Sequence, residues 1–376
     1  RVSVGAPGQG HSITGAPLIV KDMVITGIAG GEYGIRGFLD AYDSTTGKSR
    51  WRTHTIPGPG ESGNETWEGD SWKVGGAPTW MTGAFDPELN LLYWGVGNPG
   101  PDWNGEVRKG DNLYSDCVLA IDVDSGEIKW HFQFTPHDVH DWDACQIPVL
   151  VDTEYEGTPR KLLLWGNRNG FYYVLDRESG TFLHATDFAK QTWAKEIDPS
   201  GRPIRRPNML PSKEGVKVYP DVSGAANWWS PSYSPDTNLF YLMAFDGAGE
   251  YFIGEDPEYI PGRPYLGGTG MANEYEEFPD SDFVSAVRAL DPTTGQRRWQ
   301  YVVEAKSTSG LVSTAGNLVF GGTRRGNFFA LDARTGKELW HLNLGGWVHA
   351  APITYEAGDQ QRITIAAGSA LFTFGL

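Results

Sequence analysis

The chain has 376 residues, 21% of them charged and 39% hydrophobic, and carries a formal net charge of -16. That charge argues against nucleic acid or an anionic membrane surface as a partner, and no run of about 18 apolar residues that could span a bilayer occurs. Residues 1–376 read as a single large repeat domain, because no linker or low-complexity stretch interrupts them.

One short pattern recurs along the chain: an Asp, a Thr-Gly or Ser-Gly three residues later, and an aromatic or His four after the Gly. The copies are Asp43–Gly47 with Trp51, Asp122–Gly126 with Trp130, Asp176–Gly180 with His184, Asp291–Gly295 with Trp299 and Asp332–Gly336 with Trp340. In each copy an apolar strand runs into a tight turn, the Gly takes the turn's positive φ, and a second strand ends on the aromatic. A β-hairpin repeated in this way points to a propeller or a solenoid.

The five Asp positions are separated by 79, 54, 115 and 41 residues. A blade of four short strands needs about 40 to 50 residues, so the wide gaps read as blades that carry inserted loops or lack a clear copy of the turn. Further strands, expected on the outer side of the blades, are Leu91–Trp94, Leu239–Leu242 and Leu318–Phe320. No segment has a sustained 3.6-residue apolar period, so the fold class is all-β, a β-propeller with long loops.

Two further features bear on organisation. Arg1–Val4 is expected to lead straight into a blade, with neither a leader nor a first strand that would close a ring. Cys117 and Cys145 read as two isolated buried thiols, and no Cys-x-x-Cys-His haem attachment motif occurs among these residues.

The chemistry concentrates in loops that leave the strands, where a propeller builds a site at one end of its channel. Gly30–Gly37 sets Glu32 among glycines that let backbone approach a ligand closely, Gly97–Asn104 places the Asn98 amide at a strand end, and Thr135–Asp143 holds Asp138, Asp141 and Asp143. Taken singly, each is an ordinary turn or a solvated surface. Together, oxygen donors on three separate loops with Trp neighbours are what a hard cation selects.

At these residues the sequence resembles the pyrroloquinoline quinone (PQQ) alcohol dehydrogenases, from about Gly10 to the last residue. Glu32 after Gly30-Gly31, Trp80 in Gly-Gly-Ala-Pro-Thr-Trp, Asn98 in Gly-Asn-Pro-Gly-Pro, Asp141, and Arg168 in Asn-Arg-Asn-Gly follow in the family's order. The resemblance implies a quinoprotein oxidising a primary alcohol to an aldehyde, with PQQ and an active-site metal, calcium or a lanthanide. It implies that Glu32, Asn98 and Asp141 hold the metal, that Asp141 is also the general base, and that Arg168 stands beside the quinone's reactive carbonyl. Thr14, Gly30, Gly31, Trp80, Arg168 and Asn227 match cofactor contacts, with the quinone stacked on the indole of Trp80.

Three departures qualify what the resemblance implies. Asp143 stands two residues after the base, as in the branch that uses lanthanides; neighbours i and i+2 of an extended segment share a side, so Asp143 is expected to face the same centre as Asp141. His140 stands where the family often has Trp, in the wall of the substrate pocket. The family's early blades and paired cysteines have no counterpart, so the chain reads as the C-terminal two-thirds of an eight-bladed propeller, about five to six blades: either its missing blades belong to a longer protein, or another chain supplies them, as in a homo-oligomer, or it no longer binds the quinone. A separate cytochrome c-type acceptor and a periplasmic location are the implied setting. The alternatives are a non-catalytic propeller scaffold and an enzyme of the same fold acting on sugars or polymeric alcohols.

Overall fold

A computed structural model describes residues 2–272 and 284–375. Among them, five four-stranded antiparallel sheets follow one another along the chain. The first comprises Leu18–Val20, Met23–Gly27, Phe38–Asp43 and Ser49–His54, and the second Ala84–Asp86, Leu91–Gly95, Cys117–Asp122 and Ile128–Gln133. The third comprises Val149–Tyr155, Thr158–Gly166, Phe171–Asp176 and Phe182–Asp187. The fourth comprises Ser232–Ser234, Leu239–Asp246, Val284–Leu290 and Arg297–Val302, and the fifth Val312–Ser313, Leu318–Gly322, Asn327–Asp332 and Glu338–Asn343. A sixth sheet has three strands, Ile353–Ala357, Gln360–Ala367 and Ala370–Gly375.

The core lies between consecutive sheets. Alternate residues of a strand face opposite sides: Leu163 and Trp165 join Tyr93 and Val118 of the second sheet, whereas Leu162 and Leu164 join Phe240 and Leu242 of the fourth. The same face-to-face contact links the first sheet to the second, the fourth to the fifth and the fifth to the sixth. This succession is the expected propeller arrangement, with six sheets where five to six blades are expected.

All five repeat glycines adopt positive φ, between 65° and 76°. Each turn is closed by its Asp, whose Oδ1 accepts backbone N–H groups from the turn, as Asp43 does from Thr46 at 2.7 Å. The aromatic is not the end of its strand, however: Trp51 is the third residue of Ser49–His54, and the others occupy equivalent places. This interior position lets it plug the next sheet's turn. A Cβ on Gly126 would meet Trp51 at 2.7 Å, one on Gly180 would meet Trp130 at 2.6 Å, and one on Gly336 would meet Trp299 at 2.4 Å. Trp51 Nε1 also donates to the Val123 carbonyl at 2.9 Å and Trp299 Nε1 to the Ala333 carbonyl at 3.0 Å. The repeat is therefore a sheet-to-sheet latch.

Other expectations are corrected. Leu91–Gly95, Leu239–Asp246 and Leu318–Gly322 are second strands, paired on both edges and largely buried, not outer strands; an apolar run without alternation marks a strand covered on both faces. Residues 2–17 form no strand, and the first begins at Leu18. The wide gaps hold inserted loops and two small sheets, Ala194–Ile197 with Pro203–Arg205, and Val216–Val218 with Gly249–Ile253 and Gly268–Met271. Cys117 and Cys145 are both free and buried, as expected.

Candidate active site

The site is assembled from loops at strand ends. Glu32 sits in the 3-10 turn Gly31–Tyr33 with its side chain exposed. Its neighbours need to be glycine: Gly30 has φ 121°, and a Cβ there would lie 2.2 Å from the Gly10 carbonyl. A Cβ on Gly31 would meet the Pro78 ring at 2.9 Å. Thr14 is exposed and donates from Oγ1 to the Trp80 carbonyl at 3.2 Å. The Trp80 indole is partly exposed, with no other ring against it among the described residues.

The Thr135–Asp143 loop is organised by Asp138, fully buried. Its two oxygens accept the backbone N–H groups of His140 at 3.0 Å and Trp142 at 2.7 Å, and so hold the intervening Asp141 in the left-handed region at φ 61°. Burial alone would raise the Asp138 carboxyl, but the hydrogen bonds from His140 and Trp142 outweigh it and keep the group ionised. His140 does not border open space. It is 1% exposed, stacked on Trp142 with centroids 4.3 Å apart, and bonded through Nε2 to the Met209 carbonyl.

Arg168 is the hub. It follows the strand Thr158–Gly166, its Nη1 lies 2.5 Å from Asp143 Oδ2, and its Nη2 lies 3.6 Å from Asp141 Oδ2 and 2.5 Å from the Val222 carbonyl. Asp141 is not extended, so the i, i+2 rule does not apply to it. The two carboxylates nevertheless meet at one guanidinium. Asp143 Oδ1 also accepts the Asn98 backbone N–H at 2.8 Å, and Gly97 leaves the room: a Cβ there would lie 2.2 Å from that oxygen. Asn227 is buried behind Arg168, donating to the Ser223 carbonyl at 2.8 Å and touching the Cys145 thiol at 3.5 Å.

The electrostatics of this cluster are one-sided. Burial raises the carboxyls of Asp141 and Asp143; Arg168 opposes the rise, and neighbouring carboxylates add to it, Asp143 and Asp102 for Asp141, Glu32 and Asp138 for Asp143. Asp102 is 1% exposed and is raised by burial and by the charge of Glu32, against a hydrogen bond from the Asn98 amide. Its Oδ1 is buried with no hydrogen-bond partner. Burial works against the Arg168 charge, but Asp141 and Asp143 more than restore it and raise its pKa. Its Nε is buried without an acceptor.

Of the residues singled out in the sequence, Arg168, Asp141, Asp143 and Asn98 are thus directly connected, Glu32 acts on Asp143 through its charge, Asn227 is held by the Ser223 carbonyl next to the Val222 carbonyl that binds Arg168, and Thr14 and Trp80 contact one another. Among the described residues, no three His, Cys, Asp or Glu side chains close on one point by themselves; an Asn98 amide and a bridging Arg168 stand among them. A surplus of buried carboxyl groups, one with an orphaned oxygen, fits a bound cation, which would lower the cost of keeping them ionised. A partly exposed indole fits stacking on a flat ring. Sequence reading passed over Asp102, four residues beyond Asn98 in the loop it had singled out, and it gave Asp138 no separate role.

Residues 3–191 match the family model for PQQ, glucose/ethanol/alcohol dehydrogenase, beta-propeller domain. The chain belongs to this family. Residues 284–367 of this PQQ-family chain also match the model for outer membrane protein assembly factor BamB. A quinohemoprotein alcohol dehydrogenase, ADH IIB, of Pseudomonas putida is 41% identical, over 96% of this chain and 54% of that protein. A lanthanide-dependent methanol dehydrogenase of Methylacidiphilum fumariolicum is 37% identical, over 94% of this chain and 61% of its own length. The solved structure of quinohemoprotein alcohol dehydrogenase ADHIIG from Pseudomonas putida superposes with a TM-score of 0.90 at 36% identity, covering 98% of this chain and 57% of that one. The chain spans about half to two thirds of the length of the curated relatives it matches. Among the described residues, no helix is long and apolar enough to cross a membrane.

Proposed function

We propose that this chain carries the active site of a PQQ-dependent dehydrogenase that oxidises a primary alcohol to an aldehyde. The observation that carries the reading is the meeting of Asp141 and Asp143 at Arg168, beside Asn98, in a pocket with more buried carboxyl groups than cations. When bound, the quinone, polarised by its metal ion, supplies the acceptor for the hydride leaving the alcohol carbon.

The protein's own groups do the rest. Asp141, a quarter exposed where the buried Asp143 is 7% exposed, takes the hydroxyl proton; burial raises its affinity for that proton, which suits a general base. Arg168 keeps Asp141 and Asp143 in register and holds a fixed positive charge at the site. Trp80 offers its indole to the cofactor, Gly30 and Gly31 are proposed backbone contacts, and Thr14 and Asn227 supply hydroxyl and amide contacts.

Glu32, the Asn98 amide and Asp141 are the proposed metal ligands. Asp143 and Asp102, whose Oδ1 has no partner, are further carboxyl groups that, once ionised by a bound cation, suit a lanthanide better than calcium. We read residues 1–376 as one propeller domain, the C-terminal two-thirds of an eight-bladed whole. The proposed electron acceptor is a cytochrome-type component, a reading supported by the quinohemoprotein relatives, and the proposed location is the periplasm.

The test is reconstitution of the full-length protein with PQQ and either calcium or lanthanum, followed by alcohol-dependent dye reduction. Activity with ethanol that requires both PQQ and metal supports the reading. Binding of neither PQQ nor metal would leave a non-catalytic propeller.

A further inference from the structure

The loop between the fourth and fifth sheets buries a lysine that the proposed chemistry does not use. Lys306 is 7% exposed, donates from Nζ to Ser223 Oγ at 2.9 Å, lies 3.7 Å from Asp221 Oδ2 and stands 5.3 Å from the centroid of the Phe245 ring. An ammonium so enclosed needs a fixed set of partners to offset its lost hydration.

Those partners belong to one tight turn. Asp221 Oδ1 accepts the Ser223 N–H at 2.8 Å, and the Asp221 carbonyl accepts the Gly224 N–H at 2.8 Å and Trp142 Nε1 at 3.2 Å. The turn wraps Arg168. The Val222 carbonyl takes Nη2 at 2.5 Å, the Arg168 carbonyl takes the Ala225 N–H at 2.9 Å, and Gly224 packs so closely that a Cβ would lie 2.7 Å from Arg168 Cβ. The Ser223 carbonyl holds Asn227. One turn therefore aims both the guanidinium and the amide, and Lys306 grips it from the loop between the fourth and fifth sheets.

We infer that Lys306 is a positioning residue for Arg168 and Asn227, acting through the Asp221–Ala225 turn. The inference rests on the proposed role of Arg168, but the grip itself is measurable without any cofactor. Lys306→Met keeps the length of the side chain and removes its charge and its donor to Ser223 Oγ.

Hydrogen exchange of the full-length, cofactor-free protein should show the amides of Ser223, Gly224 and Ala225 exchanging at least tenfold faster in Lys306→Met. Exchange in the distant first sheet should stay unchanged. In the reconstituted enzyme, kcat should fall about tenfold or more while KM for the alcohol changes less than threefold. Lys306→Arg should recover most of the protection. Arg168→Ala combined with Lys306→Met should lose less than the product of the two single losses, because part of the effect of Lys306 runs through Arg168.

Unchanged exchange in Lys306→Met overturns the inference, as do fully additive losses in the double variant. Should Lys306→Met fail to fold, Ser223→Ala decides: faster exchange at Gly224 and Ala225 supports the grip, and unchanged exchange removes it. If Arg168→Ala leaves kcat intact, the proposed function fails while the exchange arm still decides the role of Lys306.

Discussion

At the joint between the first and second sheets, Trp51 donates to the Val123 carbonyl and fills the hollow over Gly126. At the loop site, Asp141 and Asp143 share Arg168 while Asp102 keeps an oxygen without a partner. The first contact is complete in itself: an apolar ring against a glycine, a donor with an acceptor, no net charge. The second leaves carboxyl groups buried beyond what its arginine neutralises. The joints make the frame stable, whereas the site buries more carboxyl groups than its arginine neutralises, an excess that either protons or a bound cation would offset.

The largest separation between the two regions is expected from Asp141→Asn. It should lower kcat by about 10²- to 10⁴-fold, the usual contribution of a general base, while urea unfolding of the cofactor-free protein stays near that of the parent. A loss of stability as large as the loss of turnover would place Asp141 in the frame instead.

Arg168→Ala should damage both. Breaking a buried ion pair leaves uncompensated charge and costs about 3–5 kcal/mol, for a pair whose side chains are only 6% and 7% exposed. Added lanthanum should return part of that stability, read from the urea midpoint, because a cation then replaces the lost charge. No response to the ion would argue against a cation at these carboxylates.

Gly126→Ala should act on the frame alone. The substitution meets a φ of 76° and the Trp51 ring at 2.7 Å, so a loss of about 1–3 kcal/mol is expected, with kcat at saturating cofactor unchanged. A variant as stable as the parent would show that the latch yields.

The smallest effect is one of pH. Burial, with help from Arg108 and Arg205, lowers His137 in the site loop to about 4 from its ordinary 6.5. The folded form binds its proton less readily than the unfolded form, so this contribution to stability is full above 6.5 and is lost as the pH falls toward 4. In the frame, burial would raise Asp291, but Arg298 and the Thr293 and Thr294 donors bring it to about 2, below its ordinary 3.8. Its contribution is full above 3.8 and is lost only as the pH falls toward 2. Hydrogen exchange should therefore open the Thr135–Asp143 loop at a higher pH than the Asp291–Gly295 turn.

The same contrast explains what could be read from the sequence. The turns were legible because Asp and Gly act locally, closing a hairpin within five residues, and their recurrence revealed the sheets. Glu32, Asn98 and Asp141 stood out as oxygen donors in loops, whereas Arg168 entered only through the family resemblance. The aromatic's true place inside its strand was not, since its partner is a turn in the next sheet. Nor was Lys306, whose partners Asp221 and Ser223 lie more than 80 residues away. Asp102 carried no signal of burial because it sits in a Gly-Pro-rich loop that ordinarily faces water.

The central claim is that the Arg168 pocket takes up a cation together with PQQ. Equilibrium dialysis of the full-length protein with PQQ, with and without lanthanum, tests it most directly, with bound quinone read by its absorbance and bound metal by elemental analysis. The account predicts one metal and one PQQ per chain, each bound more tightly in the presence of the other, with metal uptake weakened by Asp141→Asn. Quinone binding that is indifferent to metal, or metal uptake that Asp141→Asn leaves intact, would contradict it.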